Sequence, residues 1–320
     1  MKIVVLDGIT LNPNEELSWA PLKALGEVVI YESTPATQVV ERMQGATIAL
    51  TNKVPFTAAT IAALPELKYI GVLATGFNIV DTDAAKEKGI VVTNIPAYST
   101  MSVAQMVFAH LLNITQRVGH YADEVHNGRW DSNAEFCYWN TPLIELAGKR
   151  MGIVGFGNTG SATARIAQAL GMEVWVQSSK AQSELPEGIR KAADLDELYA
   201  VCDVISLHCP LTAQNKEMIN ATSIAKMKDK AIFLNLGRGG LINEQDLADA
   251  LRAGKLLAAG VDVLSTEPPR ADNPLLKVEN CFITPHIAWA TYEARVRLMK
   301  QAVENLEQWQ KGTPINNVAR

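Results

Sequence analysis

Three glycines spaced Gly155-x-Gly157-x-x-Gly160 form the first pattern in this sequence that suits a chemical task. They follow a short apolar run, 151–154, that reads as a buried strand, and precede a helical pattern carried by Ala162, Ile166, Ala167 and Leu170. In that context the first glycine allows a tight turn, the second the close approach of a pyrophosphate, and the third close helix–strand packing. Amides at the helix N-terminus then face phosphate oxygens, where the helix dipole favours negative charge. Gly155, Gly157, Asn158, Thr159 and Gly160 are therefore candidate dinucleotide-binding residues. A glycine-rich turn that binds nothing is the competing interpretation, and the flanking strand and helix weigh against it.

Dinucleotide sites of this kind usually place an acid about 20 residues further on, at the end of the next strand, to bind the ribose hydroxyls. Here that strand ends Gln177-Ser178-Ser179-Lys180, and Glu173 precedes it at the wrong edge of the sheet. Two hydroxyls and a cation stand where the carboxylate is expected. A ribose 2′-phosphate would be repelled by a carboxylate but can bond to Ser178, Ser179 and Lys180. NADP(H) is thus favoured over NAD(H), with a tolerated variant of an NAD(H) site as the alternative.

The elements that must position these residues alternate along the chain. Apolar, β-branched runs at 3–6, 28–31, 47–50, 69–73 and 90–93 read as strands of a parallel sheet, with helical patterns at 19–25, 37–43, 57–63 and 82–88 between them. A long apolar helix follows from Ser102 to about Arg117, and its buried face carries His110, read as a satisfied core histidine rather than a catalyst. Residues 119–146 read as an irregular arm rich in aromatics, including Tyr121, Trp130, Phe136, Tyr138 and Trp139; such a patch suggests a dimer contact. The alternation then resumes, with strands at 151–154, 174–177, 204–208, 231–236, 259–263 and 282–284 and helices at 196–199, 222–226, 244–253 and 292–310. Alternating βα units imply two doubly wound parallel-sheet domains of the α/β class, a Rossmann dinucleotide-binding domain and a flavodoxin-like substrate domain. The expected boundaries are 1–98 plus 288–320 for the substrate domain, made discontinuous by the last helix, and 99–287 for the dinucleotide domain with its dimerisation arm at 119–146.

Composition narrows the class. At 320 residues, with 48% hydrophobic and 20% charged residues, the chain has room for two cores. A net charge of −5 without a Lys/Arg cluster argues against a nucleic-acid partner. The N-terminal apolar run is cut off by Asp7 and reads as a strand rather than a leader, and no apolar run approaches ~20 residues, so no membrane span is expected. The four cysteines, Cys137, Cys202, Cys209 and Cys281, form no CxxC pair and sit in apolar settings, as in a reduced, cytoplasmic protein. His208 and Cys209 are adjacent on a strand and point to opposite faces, so no metal site is expected.

Three further stretches follow strands at their carboxyl ends, where open α/β sheets bind ligands: Asn235-Leu236-Gly237-Arg238-Gly239-Gly240, Asp262-Val263-Leu264-Ser265-Thr266-Glu267-Pro268-Pro269 and Thr284-Pro285-His286. With Leu73-Ala74-Thr75-Gly76 and Leu207-His208-Cys209-Pro210-Leu211-Thr212, they resemble the D-isomer-specific 2-hydroxyacid dehydrogenases over essentially the whole chain. The arm around Trp130 and Phe136-Cys137-Tyr138-Trp139, with His286-Ile287-Ala288-Trp289-Ala290, is most similar to the glycerate dehydrogenase (hydroxypyruvate reductase) branch. The resemblance implies Arg238, Glu267 and His286 as the catalytic set, and Thr75 and Gly76 with Arg238 and His286 as the substrate-binding set. It further implies Cys209, Pro210, Thr212, Asn215, Leu236, Gly237, Arg238 and Asp262 as cofactor contacts, with Asp262 on the nicotinamide carboxamide. Asn78 and Gln105 stand where many members carry Asp and Glu. The residue types suit hydride transfer to a small 2-oxo acid: histidine can donate a proton at neutral pH, a carboxylate fixes its ring, and arginine grips the substrate carboxylate or polarises the carbonyl. Hydroxypyruvate to D-glycerate is the expected reaction. Glyoxylate or another 2-oxo acid, and a dinucleotide-sensing protein without turnover, are the alternatives.

Overall fold

A computed structural model describes residues 1–319, and every strand in it belongs to one of two parallel sheets. The chain divides into two compact units, one formed by Met1–Ser99 with the segment from Trp289 onward, the other by Thr100–Ala288.

In the first unit, β1 (Lys2–Val5), β2 (Glu27–Ile30), β3 (Ile48–Thr51), β4 (Tyr69–Val72) and β5 (Val91–Thr93) lie in the order β2-β1-β3-β4-β5. That is a flavodoxin-like order. All residues of β3 and β4 are buried, because helices cover both faces. One face packs Val4, Leu6, Ala49 and Ile70 against Ile61, Leu64 and Ala85. The other packs Ile3, Val5, Ile48 and Tyr69 against Ala294, Leu298, Ala302 and Leu306 of the helix Tyr292–Gln310, so that helix is integral to this unit.

In the second unit, β6 (Arg150–Val154), β7 (Glu173–Gln177), β8 (Ile189–Lys191), β9 (Val204–Leu207), β10 (Ala231–Asn235), β11 (Leu256–Val261) and β12 (Cys281–Ile283) lie in the order β12-β11-β10-β9-β6-β7-β8. The chain runs outward from β6 through β7 to β8, then returns to β9 on β6's other side. This places the switch of strand order, where doubly wound sheets bind ligands, between β6 and β9. The helix Thr100–Gln116 buries Val107, Phe108, Leu111 and Ile114 in a cluster with Ile153, Ala164 and Leu234.

Three readings of the sequence need correction. Residues 119–146 are not irregular throughout, since the helix Val118–His126 opens the arm. Val118, Tyr121 and Val125 recur at helical spacing, but none of its residues is buried, so the helix stands on the surface. The short edge strand β8 was not expected; of its three residues only Ile189 is buried, too little to show a period of two. Glu173 begins β7 rather than preceding it, but it remains at the amino edge, paired with Arg150 at 3.2 Å. Among the described residues no helix is long and apolar enough to cross a membrane.

Candidate active site

The glycine turn sits at the carboxyl end of β6, and each glycine has a separate geometric reason. Gly155 has φ +96°, and a Cβ there would lie 2.7 Å from the Cys209 amide nitrogen. A Cβ on Gly160 would lie 2.2 Å from the Gly155 carbonyl oxygen, which sets how closely the helix Asn158–Ala169 meets the strand. Beside Gly157 nothing lies within 4 Å. Gly157 is also the N-cap of that helix and offers no side chain to its first-turn amides. Open space in front of uncapped amides is what a pyrophosphate needs, so the residues present fit a dinucleotide.

At the end of β7 the chain turns through Ser178, whose Oγ accepts from the Lys180 amide at 3.2 Å. The Lys180 ammonium lies 5.5 Å from the ring centroid of Phe156, within the glycine turn, and Lys191 Nζ donates to the Lys180 carbonyl at 2.5 Å. No carboxylate occupies 177–180. Past β9, Asn215 closes the Cys209–Thr212 loop, donating to the Pro210 carbonyl at 2.8 Å and accepting from the Thr212 amide at 2.7 Å. Burial pushes the Cys209 thiol up from its ordinary pKa.

Neighbouring strands carry the acid–base candidates. Asn235, fully buried at the end of β10, accepts from the Gly237 amide at 3.1 Å and donates to the Arg238 carbonyl at 2.9 Å, and so shapes the turn on which Arg238 stands exposed. That turn abuts the next one: a Cβ on Gly239 would lie 2.0 Å from the Leu264 carbonyl carbon. In the loop after β11, Glu267 Oε1 accepts from the Leu264 amide at 3.0 Å. Its Oε2 lies 2.6 Å from His286 Nδ1, beyond β12. The two side chains are 33% and 30% exposed, so the pair adds little to stability, about 0–1 kcal/mol. Its value is orientation: with Nδ1 held by the carboxylate, His286 presents Nε2 for proton transfer.

Asp262 is 1% exposed, and its own chain engages it closely. Oδ1 accepts from the Thr284 hydroxyl at 2.6 Å and the Ile287 amide at 2.9 Å, and Oδ2 from the Ala288 amide at 2.8 Å. A carboxylate offers about four lone pairs, so about one remains on Oδ2 for a ligand. Glu244, which the sequence did not single out, holds the Ser265 amide at 2.7 Å and Asn273 Nδ2 at 2.9 Å, bracing the Glu267 loop. An acid in the first turn of a helix gave no signal of that task, because such acids are common for the helix dipole alone.

The second unit thus brings Arg238, Glu267 and His286 onto adjacent turns, with the glycine motif and the Cys209 loop at the same sheet edge. Thr75 and Gly76 belong to the first unit. There Thr75 Oγ1 donates to the Ile95 carbonyl at 2.8 Å, and the Thr75 carbonyl accepts from Asn94 Nδ2 at 2.8 Å.

Comparison with known proteins gives the family. Residues 108–288 match the model of the D-isomer specific 2-hydroxyacid dehydrogenase, NAD binding domain. A hydroxypyruvate reductase of Blautia hydrogenotrophica is 52% identical, covering 99% of both chains. A glycerate dehydrogenase of Methylorubrum extorquens is 42% identical over 90% of each. Among solved structures, an acyclic imino acid reductase in complex with NADPH and D-Arg superposes with a TM-score of 0.86 at 29% identity, covering 99% of this chain and all of that one. This chain therefore belongs to the D-isomer specific 2-hydroxyacid dehydrogenase family and is an oxidoreductase that depends on a nicotinamide dinucleotide.

Proposed function

We propose that the protein reduces hydroxypyruvate to D-glycerate, with NADPH preferred over NADH. The observation that carries this reading is the 2.6 Å pair of His286 Nδ1 and Glu267 Oε2 at the carboxyl edge of the sheet that also bears the glycine turn. The relatives named hydroxypyruvate reductase and glycerate dehydrogenase support the choice of acid.

C2 of the 2-oxo acid accepts the hydride that a bound reduced nicotinamide supplies. The carbonyl oxygen gains the electron pair, and His286 Nε2 gives it a proton. Glu267 stabilises the imidazolium before that transfer and holds the ring afterwards. Arg238 supplies a planar fork to the substrate carboxylate, and Thr75 and Gly76 of the first unit are further candidate substrate-binding residues. Gly155, Gly157, Asn158, Thr159 and Gly160 hold the pyrophosphate, and the Cys209–Asn215 loop, Leu236, Gly237 and Asp262 bound the rest of the dinucleotide. In this reading the unit Thr100–Ala288 is the cofactor domain and the other unit the substrate domain. Ser178, Ser179 and Lys180 receive a 2′-phosphate, which is the ground for preferring NADPH. The protein acts as a cytoplasmic homodimer joined through the arm.

The test is turnover by the purified protein with each reduced dinucleotide against hydroxypyruvate, glyoxylate and pyruvate. The highest kcat/KM is expected for NADPH with hydroxypyruvate. A His286→Asn variant is expected to lose about 10²- to 10⁴-fold in kcat while still binding dinucleotide. Wild-type turnover in that variant would overturn the role given to His286.

A further inference from the structure

His110, 5% exposed on the helix Thr100–Gln116, is joined to the His286 loop by a chain of hydrogen bonds whose direction can be worked out. Its Nε2 lies 3.0 Å from Thr284 Oγ1, which lies 2.6 Å from Asp262 Oδ1. An ionised carboxylate only accepts, and a hydroxyl has one proton to give. The Thr284 proton therefore goes to Asp262, and His110 must donate Nε2–H to Thr284. Burial lowers the His110 pKa, against an opposing pull from Asp262, so the donor is the neutral imidazole protonated on Nε2.

Beyond Asp262 the chain ends on the amides of Ile287 and Ala288, the two residues that follow His286. The helix that carries His110 makes a second contact there, through Ser102 Oγ and the Ala288 carbonyl at 2.5 Å. The packing agrees: a Cβ on Gly260 of β11 would lie 2.8 Å from His110 Cβ and 2.9 Å from Cγ, so the imidazole occupies space that only a glycine leaves open. His286 itself has φ +56°, a left-handed conformation that is unfavourable for a residue with a side chain and persists only where its surroundings impose it. The Asp262 clamp on the two following amides is such an imposition.

We propose that Thr284 and His110 are positioning residues for proton transfer: by directing a hydrogen bond onto Asp262 they fix the 286–288 backbone and so the aim of the His286 ring. This rests on the reading of His286 as the proton donor. No step of the reaction is assigned to His110, which acts through Thr284 and Asp262.

Four variants of the full-length protein test it. Thr284→Val removes the hydroxyl at nearly constant volume, and Thr284→Ser restores it. His110→Met removes the donor, and His110→Gln returns one. Each is assayed for kcat and KM with hydroxypyruvate, for NADPH dissociation constant, and for melting temperature. Thr284→Val is expected to lower kcat about 10- to 100-fold, the range for misaimed reacting groups, with the dissociation constant within about twofold of wild type. Thr284→Ser and His110→Gln are expected to recover kcat to within about threefold of wild type, and His110→Met to show the loss. A Thr284→Val enzyme with wild-type kcat, or one whose loss Thr284→Ser shares, overturns the inference. Should Thr284→Val fail to fold, the His110→Met and His110→Gln pair decides by the same criteria. Activity retained in His286→Asn would refute the underlying reading, whereas an inactive His286→Asn beside a fully active Thr284→Val would refute only the positioning chain.

Discussion

A histidine at the end of a strand is useful for proton transfer only if its surroundings tolerate the charged ring, and this protein holds a contrasting pair. His286 has a carboxylate at 2.6 Å and a partly exposed ring. His208, at the end of β9, has the Ser206 hydroxyl at 2.8 Å as its ring partner among the described residues, and burial pushes its pKa down to about 4. His208 is thus neutral at physiological pH and serves as a structural group. Its depressed value has a consequence for stability. The unfolded chain, with an ordinary pKa near 6.5, binds the proton that the folded chain refuses between about pH 6.5 and 4, so stability is lost as pH falls through that window. The whole effect is on the order of 3 kcal/mol, and His110 acts in the same direction. Urea midpoints measured from neutral to acid pH should fall less steeply in His208→Gln than in wild type; an unchanged slope would count against this account. Much at the residue scale is legible in the sequence, because Gly155, Arg238, Glu267 and His286 each sit in a short motif after an apolar run. The chain from His110 to Thr284 is not, since it joins residues 174 positions apart that only the sheet brings together.

Elements are legible to the extent that they bury a periodic face. Among the described residues eleven of the twelve strands coincide with apolar runs of the sequence, whereas β8 has one apolar residue of three, and the helix Val118–His126 buries none of its residues. What β7 does is readable from what it lacks. Its carboxyl end offers Ser178, Ser179 and Lys180 in place of an acid, with the Lys180 ammonium over Phe156 of the glycine turn and Lys191 behind it. A charged hydrogen bond to a 2′-phosphate is worth about 1.5–3 kcal/mol. Lys180→Ala should therefore raise the KM for NADPH about tenfold or more and leave that for NADH within about twofold. Equal changes for both dinucleotides would remove the ground for preferring NADPH.

For the molecule as a whole, the arm presents apolar surface that one copy of the chain leaves bare. Phe136 is 86% exposed and Trp139 66%, and isolated chains seldom leave such residues together in water. The proposed dimer through this arm would cover both, so sedimentation should show a dimer for the wild type and a monomer for Phe136→Asp combined with Trp139→Asp. A monomeric wild type would contradict it. That the chain forms two parallel sheets was legible in the alternation of strands and helices, whereas the order of the strands was not; the arm was legible as a surface but not as a helix. The central claim, that this set of residues reduces a small 2-oxo acid, is tested most directly by following the loss of reduced-nicotinamide absorbance when hydroxypyruvate is added to the purified protein and NADPH. Rapid, substrate-dependent oxidation with D-glycerate as the product is expected, nearly abolished in His286→Asn. No oxidation with hydroxypyruvate, glyoxylate or pyruvate, using either dinucleotide, would contradict it.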